Sequence, residues 1–177
     1  LLLGFAPLVV YGVLAGSSAT SVALAAAFVT TVLVCYRHLR KGMILPWANL
    51  CLFGASFLAV GVLKVEGIIP YLGILIYATL TAVALGSLIA GTPFTLQYAR
   101  EMVDRKVWGN PLFLRSNVLM SGVWGCIFLI NLGLSLLAVV NPTLMGGTAM
   151  PLTVFTIIAG IVFTFWYPEH LRRKYSP

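Results

Sequence analysis

Gly91-Thr-Pro-Phe-Thr-Leu-Gln-Tyr-Ala-Arg-Glu-Met-Val-Asp-Arg-Lys-Val-Trp-Gly-Asn-Pro111 is the one long polar stretch in a chain that is otherwise almost entirely hydrocarbon. It holds two of the four acidic residues and three of the eleven basic ones. On either side lie apolar runs of the length a bilayer asks for, about 20 residues per helix. The stretch must meet water, and the runs beside it must avoid water.

The totals agree. Of 177 residues, 60% are hydrophobic and 8% charged, too few charges to cover the surface of a soluble globule of this size. The net charge of +7 would suggest nucleic acid in a soluble protein. Here the basic residues stand at the ends of apolar runs, where they orient spans against an anionic leaflet, so no nucleic-acid partner is expected. Cys35, Cys51 and Cys126 lie inside apolar runs without metal-ligand spacing and read as buried free thiols. The chain starts at Leu1 already within an apolar segment, which implies a preceding piece. It lacks the basic start and small-residue cleavage site of a signal peptide.

The fold class expected is all-α, a single transmembrane domain over residues 1–177. Six spans are expected near 2–15, 17–36, 43–63, 68–90, 112–139 and 150–167. Gly16-Ser17-Ser18 leaves little room between the first two, which form either two full spans or a re-entrant hairpin. Arg37, Arg40, Lys41, Arg100, Arg105, Lys106, Arg115, Arg172, Arg173 and Lys174 then fall on one side of the bilayer, and only Lys64 on the other. The positive-inside rule puts both termini in the cytoplasm, with Tyr36, Trp47, Trp108, Trp166 and Tyr167 at the same interfacial level.

Within the polar stretch, Thr92-Pro93 and Asn110-Pro111 each read as an N-cap followed by a first-turn proline. Between them Arg100 pairs with Asp104, and Glu101 with Arg105, at i,i+4. Leu96, Ala99, Val103 and Val107 share the opposite arc. The pattern predicts an amphipathic interfacial helix over 93–108, a cytoplasmic docking element carried by Leu96, Arg100, Val103, Val107 and Trp108.

Helix contacts in a bilayer need small residues in rows. Gly12 with Gly16, Ala15-Ala19-Ala23-Ala27 and Ala82-Gly86-Ala90 supply three, expected as packing seams. Gly4-x-x-Pro7 and Gly67-x-x-Pro70, with Gly42-x-x-x-Pro46 and Gly147-x-x-x-Pro151, open corresponding spans of the two halves. They are compatible with a 3+3 inverted repeat and equally with ordinary helix starts.

Ionisable groups deep in a span mark catalysis or ion coupling, and this sequence puts none there. Lys64 and Glu66 end the third span, and His38 and His170 flank basic clusters. A bis-histidine haem, a zinc site and a serine–histidine nucleophile all lack their parts. No catalytic, metal or cofactor residue is therefore assigned. The polar residues left in spans are neutral: Asn49 in the third, and Asn117, Ser121, Trp124, Asn131 and Ser135 in the fifth. Asn117, Trp124, Asn131 and Ser135 lie on one side of their helix, a face that meets other helices or lines a wet path for a neutral solute.

Gly91-x-Pro93 with Gln97, a charged stretch with a tryptophan, and Asn117 and Asn131 fourteen apart with Trp124 on the same face resemble the intracellular septation protein A family over residues 68–140. The resemblance implies a small polytopic protein of the bacterial inner membrane, linked to division and envelope integrity, with no established enzymatic activity. Two functions follow as expectations. The first is a non-enzymatic structural or accessory subunit of a membrane assembly, with a membrane-protein partner or a second copy of itself in the lipid bilayer. The second is a small transporter or channel for a neutral or anionic solute.

Overall fold

Runs rich in Leu, Ala, Val and Ile with no water to satisfy their backbone must bond internally, and the helix does this within one segment. The computed structural model describes residues 2–15, 19–145 and 147–175, and every regular element among them is helical. In chain order they are α1 (Leu2–Ala15), α2 (Thr20–Val34), α3 (Tyr36–Arg40), α4 (Ile44–Phe57), α5 (Leu72–Ile89), α6 (Phe94–Ala99), α7 (Pro111–Val140), α8 (Pro142–Met145) and α9 (Ala149–Tyr175). A π-helical turn, Leu58–Val62, extends α4, and 3-10 turns cover Glu66–Tyr71 and Arg105–Val107. The Gly16-Ser17-Ser18 connection, and with it the choice between turn and hairpin, lies outside the described residues, as do the side chains of Arg172 and Lys174.

Among the described residues four helical stretches are long and apolar enough to cross a membrane: Ile44–Val62, Glu66–Ile89, Pro111–Val140 and Ala149–Leu171. They match the last four of the six expected spans. The other two, α1 and α2, are apolar but have only 14 and 15 residues. Cys35 (φ −94°, ψ 7°) interrupts the path from α2 into α3. The last helix instead runs past the expected end near 167, through Pro168 to Tyr175.

The sequence reading treats the chain as one domain; its helices group into two compact units, residues 1–83 and 84–177, with the boundary inside α5. In the first, α2 packs against both α1 and α4. Ala23, Leu24, Ala27 and Thr31 form its buried side, and Gly54 of α4 lets the Phe28 ring approach: a Cβ there would lie 3.1 Å from Phe28 Cε2. Pro7 shapes α1. Lacking an N–H, it leaves the Leu3 carbonyl without its helical donor. Cys35 Sγ donates to that oxygen at 3.4 Å, and Asn49 Nδ2 donates to the neighbouring Gly4 carbonyl at 2.9 Å. Other helices thus serve the turn that proline opens, which is how proline is tolerated in apolar helices.

In the second unit α7 packs against α6 and α9. Asn110 Oδ1 accepts from Leu112 N–H at 2.8 Å and Pro111 is the first helical residue, as its sequence predicts. The other start shifts by one: Pro93, not Thr92, holds the cap position, and Ser87 Oγ accepts the Phe94 N–H at 3.0 Å in place of a local cap.

Several packing expectations change. Of the second small-residue row only Ala23 and Ala27 are buried; Ala15 and Ala19 are exposed. Ala82, Gly86 and Ala90 are all exposed, and a Cβ on Gly86 or Gly12 would meet nothing within 4 Å. On α5, Leu80, Val83 and Ala84 are the buried residues nearby. Cys35 is buried, whereas Cys51 and Cys126 are exposed on the outer faces of α4 and α7.

Candidate functional site

The buried face of α7 begins with its sequence spacing. Asn117, Ser121, Trp124 and Asn131 are all buried, and Ser135, near the far end, is half-buried. At the α6 end, Thr95 Oγ1 donates to the Asn117 carbonyl at 2.9 Å and lies 2.8 Å from Ser121 Oγ, while Thr95 N–H donates to Ser121 Oγ at 3.3 Å. With the Thr95 proton on the Asn117 carbonyl, the Ser121 hydroxyl is the donor between the two oxygens. The Asn117 amide itself turns back to the Phe113 carbonyl at 2.8 Å.

Toward α9 the contacts change from hydroxyl pairs to aromatic and amide ones. Trp124 Nε1 donates to Thr164 Oγ1 at 3.0 Å, and that hydroxyl donates onward to the Gly160 carbonyl at 2.8 Å. Thr156 Oγ1 lies 3.1 Å from Asn131 Oδ1 and 2.9 Å from the Thr153 carbonyl, its one proton shared between the two acceptors. Gly160 sits between these bonds, where a Cβ would lie 2.7 Å from Ile127 Cδ1 and 3.1 Å from Trp124 Cη2. Trp124 and Phe128 are tilted rings with centroids 5.3 Å apart. Thr156, Gly160 and Thr164 recur every fourth residue on α9, so the partners of the α7 face carry a helical signal that the rows chosen from sequence passed over.

Two amides keep an unspent atom. Asn49 uses its Nδ2 on Gly4, but its buried Oδ1 accepts nothing; Asn131 uses its Oδ1, but its buried Nδ2 donates to nothing. Each belongs to a different unit. The buried polar groups of α7 are neutral, and among the described residues no cluster of three or more His, Cys, Asp or Glu side chains is placed to hold a metal ion. Their chemistry is hydrogen bonding.

The docking element differs most from its sequence reading. A continuous helix over 93–108 is replaced by α6, a turn through 100–104 and the 3-10 turn Arg105–Val107. Leu96 is buried along with Phe94, Thr95 and Tyr98, so it belongs to the core and offers no docking contact. Val103 is half-buried, Val107 exposed. The i,i+4 charge pairs do not form, because the helix ends at Ala99. Asp104 Oδ1 instead accepts from Lys106 N–H at 3.0 Å, capping the 3-10 turn. Arg100 and Arg105 both turn to Trp108, their guanidinium carbons 5.2 and 5.7 Å from its ring centroid. Charge–ring contact takes the place of charge–charge contact.

Comparison of the chain with protein-family models, with characterised proteins and with solved structures finds no match.

Proposed function

We propose that this chain is an integral membrane protein with a structural or accessory role, held in a larger assembly through helix faces rather than through a reactive centre. The observation that carries the reading is α9. Of its apolar stretch Ala149–Leu171 only Gly160 is buried, and Phe155, Ile158, Val162, Phe165 and Trp166 are each more than half exposed. Surface of that kind requires lipid or another membrane helix over it. The polar side of the same helix is already occupied by Trp124 and Asn131. Its role toward α7 is packing, and its other faces remain for lipid, a partner protein or a second copy.

The septation-family resemblance extends the proposal to the bacterial inner membrane, with both termini cytoplasmic and the assembly concerned with division or envelope integrity. Cysteine labelling at Glu66, expected from the outer side, tests the orientation; labelling from the cytoplasm alone reverses it. Purification from native membranes tests the role. Stoichiometric retention of a partner, or a stable dimer in mild detergent, is the expected result.

A transport function is the second reading, favoured by the buried Asn49 Oδ1 and Asn131 Nδ2, which have no partner and would suit a neutral solute or water. Solute flux into liposomes by the isolated chain, lost in Asn131→Leu, would support it over the accessory role.

A further inference from the structure

We propose that Arg100, Arg105 and Trp108 form a binding site for the phosphate of an anionic phospholipid headgroup. The inference rests on placing the chain in a membrane, and is independent of the accessory role.

Charge comes first. Two guanidinium groups converge on one indole, each within 6 Å of its centroid. Among the described residues neither forms an ion pair with a carboxylate. Of the two acids in the loop, Asp104 caps the backbone at Lys106 and Glu101 is engaged by another group. Lys106 adds a third exposed cation. Residues 100–106 thus carry three cations against the two carboxylates of Glu101 and Asp104, a net charge of +1 that a bound anion balances.

Unused donors come second. Arg100 Nε and Trp108 Nε1 are both buried, and neither has an acceptor. Such N–H groups are costly when left unpaired. Both belong to donor-only groups, so the missing ligand is an acceptor, and the adjoining guanidinium forks favour a phosphate over a single carbonyl.

Position decides between a lipid and a soluble phosphate. The cluster lies three residues before Pro111, where the membrane-length helix α7 begins, and Leu112 and Val118 on the first turns of that helix are exposed. Arg115, one turn into α7, is exposed too. Met102 in the same loop is 82% exposed. Apolar side chains beside a basic–aromatic cluster at the mouth of a span fit acyl chains below a headgroup, since tryptophan and basic residues favour that level.

The test uses the full chain in a mild detergent, after alkaline carbonate washing has shown that it stays in the membrane fraction. Loss in that wash would overturn the membrane placement itself. Native mass spectrometry then follows binding of phosphatidylglycerol, phosphatidylcholine and inorganic phosphate. We expect phosphatidylglycerol to bind in preference to phosphatidylcholine. The preference should fall about tenfold for each of Arg100→Gln and Arg105→Gln, the effect of losing about 1.4 kcal/mol of charge-assisted hydrogen bonding. Arg37→Gln removes equal charge elsewhere and should leave it unchanged. Equal binding of the two lipids, or a preference that survives both substitutions, would overturn the site. Inorganic phosphate binding as well as the lipid would overturn the headgroup as its source. If the substituted chains do not fold, the wild type still decides: its preference must weaken as salt rises from about 0.1 to 1 M and the screening length falls from about 10 to 3 Å, and constancy would overturn the proposal.

Discussion

The Trp124 indole donates its N–H to the Thr164 hydroxyl at 3.0 Å, joining α7 to α9 through a tryptophan that is 1% exposed. Gly160, one turn before Thr164, lets the helices approach: a Cβ there would lie 3.1 Å from Trp124 Cη2. Gly160→Val should therefore destabilise the chain by about 1–3 kcal/mol, as overpacking does. Gly86→Val, where a Cβ meets nothing within 4 Å, should change stability little. Thermal unfolding in detergent compares them; equal melting temperatures would place Gly160 away from the contact.

Asn49 supports the turn that Pro7 opens. Asn49→Leu removes its bond to the Gly4 carbonyl and should cost about 0.6–1.7 kcal/mol, the range of hydrogen bonds between membrane helices. Asn49→Asp should cost more, about 2.5–3.5 kcal/mol, because a charge would enter an apolar segment. Reversible unfolding in mixed micelles gives both values. If Asn49→Asp is the milder change, the position is reached by water.

Thr95 and Ser121 form a pair whose energies should not add. Thr95→Val and Ser121→Ala should each cost about 1 kcal/mol. The double variant should lose less than the two together, by about 0.5 kcal/mol or more. Simple additivity in a thermal-stability cycle would mean that the hydroxyls act separately.

Lys64 adopts φ 56°, the left-handed region, just after the π-turn. That conformation costs a non-glycine residue about 1–2 kcal/mol, partly offset in glycine by its larger entropy loss. Lys64→Gly should stabilise the chain by about 0.5–1 kcal/mol and Lys64→Val should weaken it. The reverse order in unfolding experiments would show the left-handed turn to be absent in solution.

Spin labels along 94–108 should show two regimes. Positions 94–96 and 98 should be immobile and protected, and 101, 102 and 104–107 open to solvent or headgroups. Val107→Asp, at an exposed position, should accordingly be tolerated. A single helical alternation across the whole stretch would restore the continuous interfacial helix.

What the sequence by itself determined was the set of hydrophobic lengths and their punctuation. The apolar runs required helices because backbone groups there have no water to bond, and Asn110-Pro111 marked the start of α7 because a side-chain cap and a missing N–H are both local facts. The spacing of Asn117, Trp124 and Asn131 likewise put them on one helical side. What only the tertiary structure decided was which residues those features meet. Glycine rows looked alike in sequence, yet Gly86 faces open space and Gly160 lies against Trp124, because close approach depends on the neighbouring helix. Thr92 carried a cap signal, but Ser87, seven residues before Phe94, supplied the acceptor. The charges of the polar stretch allowed an i,i+4 ladder, and the rings and core contacts around them chose otherwise: burial of Phe94, Leu96 and Tyr98 fixed α6, the helix ended at Ala99, and the two arginines came to rest on Trp108.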